Sequence, residues 1–110
     1  MAFKLVKRNK LRVQVKGTFK DEEGKPVNFD FTLLCRRLSQ AEIETAIKNS
    51  DEPVKEFVQR VTEDWEGVLG EDGQPLSFEA SNLDAVLDQA GMAVVCYQSY
   101  LKEVGAVVKN

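Results

Sequence analysis

Near Leu38 the spacing of apolar residues changes, and that change fixes what the chain folds into. Before it the period is two. Leu11, Val13, Val15 and Phe19 point one way, while Arg12, Gln14, Lys16 and Thr18 point the other. This is a half-buried strand. Gly17 falls on its apolar face, where it marks a bulge or a close backbone approach. The segment Asp21-Glu22-Glu23-Gly24-Lys25-Pro26 has turn composition, with Gly24 free to take positive φ. Alternation then resumes, with Val27, Phe29, Phe31 and Leu33 opposite Asn28, Asp30 and Thr32. Two in-phase strands around a short turn predict an antiparallel hairpin, with Asp30 near Arg12 or Lys16. A lone hairpin cannot keep its apolar face wet, so later elements must cover it.

From Leu38 onward the period is helical. Ser39 and Glu42 form a capping box, and Leu38 with Ile43 a hydrophobic staple. The helix is expected to run to about Asn49 and to bury Ile43, Ala46 and Ile47. Ser50-Asp51-Glu52-Pro53 interrupts it, with Asp51 as the next cap. Val54, Phe57, Val58, Val61 and Trp65 then fall on one face of a second helix. Gly67 to Leu76 reads as a turn, or a very small hairpin with Val68 and Leu76 opposed. Ser81 is expected to cap a short helix with Leu83, Val86 and Leu87 as its stripe. Gly91 separates this from a last helix carrying Met92, Val95, Cys96, Tyr97, Tyr100, Leu101 and Val104, which Gly105 ends. The expected fold is α+β: an N-terminal antiparallel β-hairpin packed against three or four short helices. Residues 1–110 form a single domain, with loose termini at 1–9 and 106–110.

Hydrophobic residues make up 43% of the chain and charged residues 30%, which places it among globular domains. No run approaches the roughly 18 apolar residues of a membrane span. The basic start lacks the apolar stretch of a secretory signal, so the expected compartment is the cytoplasm. The net charge of −3 is unevenly spread. Residues 1–20 hold seven Lys/Arg and no acid; the rest hold eight against 18 acids, a balance of −10. That acidic body argues against nucleic acid as a partner, whereas the basic start is a solvated strand face or a docking surface for an acidic partner.

The chain has no histidine and two cysteines, Cys35 and Cys96. It therefore lacks the commonest general base and the Ser-His and Cys-His pairs, and cannot close a usual four-ligand zinc site. The thiols are read as reduced and buried. Arg36-Arg37 would lower the pKa of Cys35 if it were reactive, but no base accompanies it. The acids Glu63, Asp64 and Glu66 diverge on a helix, and the loop Glu71-Asp72-Gly73 lacks calcium-loop spacing. No catalytic, cofactor-binding or metal-binding residues are expected, and a redox or hydrolytic enzyme is disfavoured. Binding of another protein remains. Trp65, Tyr97 and Tyr100 with the neighbouring Asp64 are the candidate patch on a helical face, although the aromatics also suit a core.

Several stretches carry a family resemblance. They are residues 1–9, Val27-Asn28-Phe29-Asp30-Phe31-Thr32-Leu33-Leu34-Cys35-Arg36-Arg37-Leu38, Phe57 to Val68, and Leu87-Asp88-Gln89-Ala90-Gly91. The most specific part is Asp64-Trp65-Glu66-Gly67-Val68 followed by Glu71-Asp72-Gly73-Gln74-Pro75-Leu76 and a helix. The whole chain resembles the tail assembly chaperones of long-tailed bacteriophages and prophages. The resemblance implies a non-enzymatic protein of the host bacterial cytoplasm, without cofactors. It would bind the tape measure protein, keep that long helical protein from aggregating, and help bring tail tube subunits to it. The alternative is a permanent structural component of a phage tail or head–tail connector.

The resemblance also implies two product lengths, the longer made by a −1 ribosomal frameshift. Val108-Lys109-Asn110 is compatible with the slippery heptamer A AAA AAC. Residues 1–110 would then be the short form, and the longer form would tether a module for the major tail tube protein, raising its effective concentration. The coding sequence checks this: the expected result is a slippery run at Val108 and an overlapping −1 frame beyond Asn110.

Overall fold

The computed structural model describes residues 2–48 and 52–105. Strand β1 (Lys10–Lys20) and strand β2 (Pro26–Arg36) form the N-terminal hairpin. Their register runs unbroken from Lys10 opposite Arg36 to Lys20 opposite Pro26. The turn depends on Asp21, whose carboxylate accepts from the N–H groups of Glu23 and Lys25, each at 2.9 Å. Gly24 closes it with φ 81°. Gly17 is a close-approach position. A Cβ there would lie 2.4 Å from the tip of the Phe29 ring, which occupies the space that a side chain would fill.

Helix α1 (Gln40–Lys48) starts from the expected capping box. The Glu42 N–H donates to Ser39 Oγ at 3.2 Å, and the Ser39 N–H donates to Glu42 Oε1 at 3.0 Å. The Ser39 N–H, donating to the carboxylate, holds the exposed Glu42 carboxyl below its usual pKa. The expected burial on this helix is only partial. Ile43 and Ala46 are half-buried against the core, but Ile47 is 58% exposed. Asp51, the expected next cap, lies outside the described residues, as does the tail 106–110. Residues 2–9 have no regular secondary structure and their side chains are exposed.

Helix α2 (Val54–Val61) is shorter than the apolar spacing predicts. It ends at Val61, and strand β3 (Thr62–Glu66) begins at the next residue. The Thr62 N–H and hydroxyl both donate to the Val58 carbonyl, the hydroxyl at 2.7 Å, and close the last helical turn. Trp65 is thus a strand residue. β3 pairs antiparallel with β2, placing Trp65 opposite Leu33 and Thr62 opposite Cys35. The register shifts between these pairs, and Glu63 is the extra residue. The result is a three-stranded sheet of order β1-β2-β3.

After β3, Gly67 to Leu76 closes as the small hairpin: the Leu76 N–H donates to Val68 O at 2.9 Å and the Gly70 N–H to Gln74 O at 2.9 Å. Helix α3 (Ala80–Leu87) starts one residue before Ser81, which is therefore not its cap. Glu79 holds that position without a capping side-chain bond. Helix α4 (Met92–Val104) follows Gly91 and ends at Gly105. The fold is α+β, as expected, with a third strand added to the hairpin.

The core lies between the sheet's apolar face and helices α2, α3 and α4. It contains Val13, Val15, Leu33, Cys35, Phe57, Val58, Val61, Trp65, Leu83, Leu87, Cys96 and Tyr100. Phe57 packs edge-on against Tyr97 and Tyr100, with centroids 5.2 and 5.5 Å away. Tyr100 is 1% exposed, and its hydroxyl joins two chain segments. It donates to the Arg36 carbonyl at 2.7 Å and accepts from the Leu38 N–H at 3.1 Å. Removing that hydroxyl leaves backbone groups short of a partner in the interior. Tyr100→Phe is expected to destabilise the domain by about 1–3 kcal/mol, and Tyr100→Ala by about 3–5 kcal/mol. Urea melts followed by circular dichroism check both values.

Candidate functional site

The four residues of the candidate patch do not form one surface. Tyr100 is in the core, bonded to the end of β2. Trp65 is 6% exposed. Its indole donates to Leu76 O at 2.8 Å and meets Phe78 edge-on at 5.2 Å, so it ties β3 to the small hairpin. A partner cannot reach either ring without opening the domain. Both are corrected from interface to core, and the reason is geometric. Trp65 sits on a strand whose inner face is closed by Phe78, and the Tyr100 hydroxyl finds its polar partners inside. Tyr97 is half-buried against Phe57. Asp64 is exposed, and as the strand neighbour of Trp65 it points to the opposite face of the sheet.

That opposite face is polar and laced by ion pairs. Lys10 on β1 reaches Glu63 on β3, and Arg12 reaches Glu66 at 2.7 Å. Both pairs cross over β2, which lies between the two strands. Leu34 lies half-buried beneath them. Gln14 donates to Asp30 at 3.3 Å, and Thr18 bonds Asn28 at 2.8 Å. Such exposed pairs are each worth about 0.2–1 kcal/mol, so they set register more than stability. Lys16 stands directly opposite Asp30, as expected, while the Asp30 carboxylate takes its hydrogen bond from Gln14 and Arg12 turns to Glu66. Between the helices, Lys55 bridges Asp84 at 2.8 Å and Asp88 at 3.4 Å, and Arg60 holds Glu52.

Cys35 and Cys96 are free and buried. Burial pushes Cys35 up to about 11, although the Thr62 hydroxyl, 3.8 Å away, acts in the other direction. Burial pushes Cys96 up to about 12. The expected lowering of Cys35 by Arg36-Arg37 does not occur, since burial of the thiol outweighs it. Arg37 instead donates to the Lys10 carbonyl at 3.3 Å. Among the described residues no group of three His, Cys, Asp or Glu side chains is placed to hold a metal ion. No helix among them is long and apolar enough to cross a membrane.

Comparison with family models, curated proteins and solved structures finds no match. Among the described residues, part of the apolar side-chain surface expected in the core is exposed. Ile43, Ala46 and Ile47 form a stripe on α1 that the domain covers incompletely. Val94 on α4 and Phe19 at the end of β1 are also exposed. An apolar helical stripe has the same spacing whether its own domain or a partner covers it. The signal for α1 was therefore present, but it did not say which of the two covers the stripe.

The thiols give a direct check. Their folded pKa values lie above the roughly 8.5 of a free cysteine. The stabilising contribution of the neutral thiols is therefore complete below about pH 8.5 and is lost as pH rises through 11 to 12. Native protein at about pH 8 should leave both thiols unmodified by a disulfide reagent, and both should react at once in guanidinium. The urea midpoint should fall as pH rises above about 9.

Proposed function

We propose that the chain is a non-enzymatic tail assembly chaperone that binds helical segments of a phage tape measure protein and keeps them soluble during tail tube assembly. The observation that carries this reading is the open apolar stripe of α1. Ile47 is exposed and Ile43 and Ala46 are half-buried beside it, on a helix that also bears the exposed acids Glu42 and Glu44. An amphipathic helical segment can lay its own apolar face on such a stripe. The sequence resemblance supplies the identity of that segment. The absence of histidine and the raised thiol pKa values are in keeping with a role that needs no reacting group. Trp65 and Tyr100 act from within by holding the domain in shape. The longer, frameshifted product would bring tail tube protein to the same complex.

Co-expression with a tape measure segment tests this. The segment should be soluble with the chain and insoluble without it. Ile47→Asp should weaken capture roughly tenfold, about 1.4 kcal/mol, and should change domain stability by no more than about 0.5 kcal/mol. Purified virions should lack the protein. Many copies in the particle would instead favour a structural component of the tail or connector.

A further inference from the structure

Among the described residues neither β1 nor β3 has a further strand on its outer side, and the two edges carry opposite charge. β1 forms one edge and presents Lys10, Arg12, Lys16 and Lys20. Lys16 and Lys20 have no ion-pair partner among the described residues. β3 forms the other edge, and three of its five residues are Glu63, Asp64 and Glu66. An uncovered edge offers unpaired backbone N–H and C=O groups, and proteins commonly blunt such edges with charge or a bulge. β3 has both devices, and the Trp65 N–H is also held by the Asp64 carboxylate at 2.8 Å, so a strand added there takes that donor over from Asp64. Carboxylates repel an acidic strand and disfavour a neutral one, whose docking would bury them unpaired, but they suit a basic one.

The chain itself supplies a basic extended segment. Residues 2–9 lead into β1 without regular structure of their own, and all of their side chains are exposed. Among the described residues their one backbone bond to the body is Asn9 O accepting from the Arg37 N–H at 2.9 Å. Lys4, Lys7 and Arg8 are interleaved with Phe3 and Leu5, which are 88% and 87% exposed. Asn9 lies beside Arg37, where β2 has ended and the chain turns toward α1. The segment therefore leaves the domain past the end of β2, with that strand between it and the β3 edge of the same molecule. We propose that residues 3–8 of one copy add as a fourth strand to the β3 edge of a second copy, and that reciprocal exchange makes a two-fold dimer.

Charge decides between the two edges. Placed on β1, the segment would set cations against Lys16 and Lys20. Placed on β3, it sets them against Asp64, whose carboxylate makes no ion pair among the described residues, while Glu63 and Glu66 reach across β2 to Lys10 and Arg12. Six residues at roughly 3.3 Å each span the five-residue edge. The exposed Leu69, three residues past β3, gives Phe3 or Leu5 an apolar neighbour. Backbone pairing provides affinity in this mode and the charges provide selectivity. The dimer does not rest on the chaperone reading, since the α1 stripe lies outside the exchanged segment.

Sedimentation equilibrium of the full chain tests the exchange. At about 50 mM salt the mass should double as concentration rises to about 0.5 mM, and about 500 mM salt should weaken association at least tenfold. Deleting residues 2–8 should give a monomer with an unchanged circular dichroism spectrum. Asp64→Lys should weaken the dimer about tenfold. Combining it with Lys4→Glu, Lys7→Glu and Arg8→Glu should recover part of the loss. A wild-type chain that stays monomeric throughout overturns the proposal, including the case in which it instead binds anionic vesicles. So does a deletion variant that still dimerises. An Asp64→Lys chain that dimerises like wild type removes β3 as the receiving edge and equally overturns it.

Discussion

A single phenol hydroxyl holds the two halves of the domain in register. The hairpin ends at Arg36 and the helical half begins at Leu38, so the chain changes character within two residues. At such a junction the backbone leaves the ladder before the first helical bond can form, and its polar groups need outside partners. Tyr100 bridges Arg36 and Leu38 from the opposite end of the sequence. Its ring packs on Phe57 of α2, so one side chain connects the hairpin, the start of α1, α2 and α4. Burial, partly offset by the Leu38 N–H, raises the pKa of the phenol and keeps the group neutral while it donates. The remaining core packs in the space that this clamp defines.

The hairpin was legible in the sequence because alternation of two has few other causes, and because Gly24 marked its turn. The capping box at Ser39 was legible for the same reason: its two bonds are local and need nothing from the rest of the chain. β3 was not legible, and the bulge explains why. In a regular strand, buried residues are an even number apart. The extra residue Glu63 puts the buried pair Thr62 and Trp65 three apart, which is the helical spacing. The apolar series that begins at Val54 therefore continues through Trp65 as if α2 had not ended. The stop signal was the pair of β-branched residues Val61 and Thr62, and it is weak beside a periodic stripe.

The candidate site shows the same limit from the other side. Trp65 and Tyr100 combine a large ring with a polar tip, a chemistry that serves an interface or a junction inside the domain. What separates the two uses is whether the tip meets protein or solvent, and here it meets Leu76 O and Arg36 O. Ile43, Ala46 and Ile47 make the converse case. They were read as core from their spacing, yet the domain packs too little against α1 to cover them. Which residues are contacts and which are core depends on how much of the chain returns to each element, and one segment's spacing does not contain that information.

The passage from α2 to β3 has no loop. Thr62 ends one element and begins the next, with both its donors on Val58, so helix and strand behave as one rigid lever with a single elbow. In most small domains a few residues of slack absorb a load placed on an edge strand. Here that slack is missing, and a tug along β3 arrives undiminished at Phe57 and from there at the aromatic cluster. Displacing β3 therefore displaces the end of α2 with it, and through Phe57 the packing of Tyr97 and Tyr100.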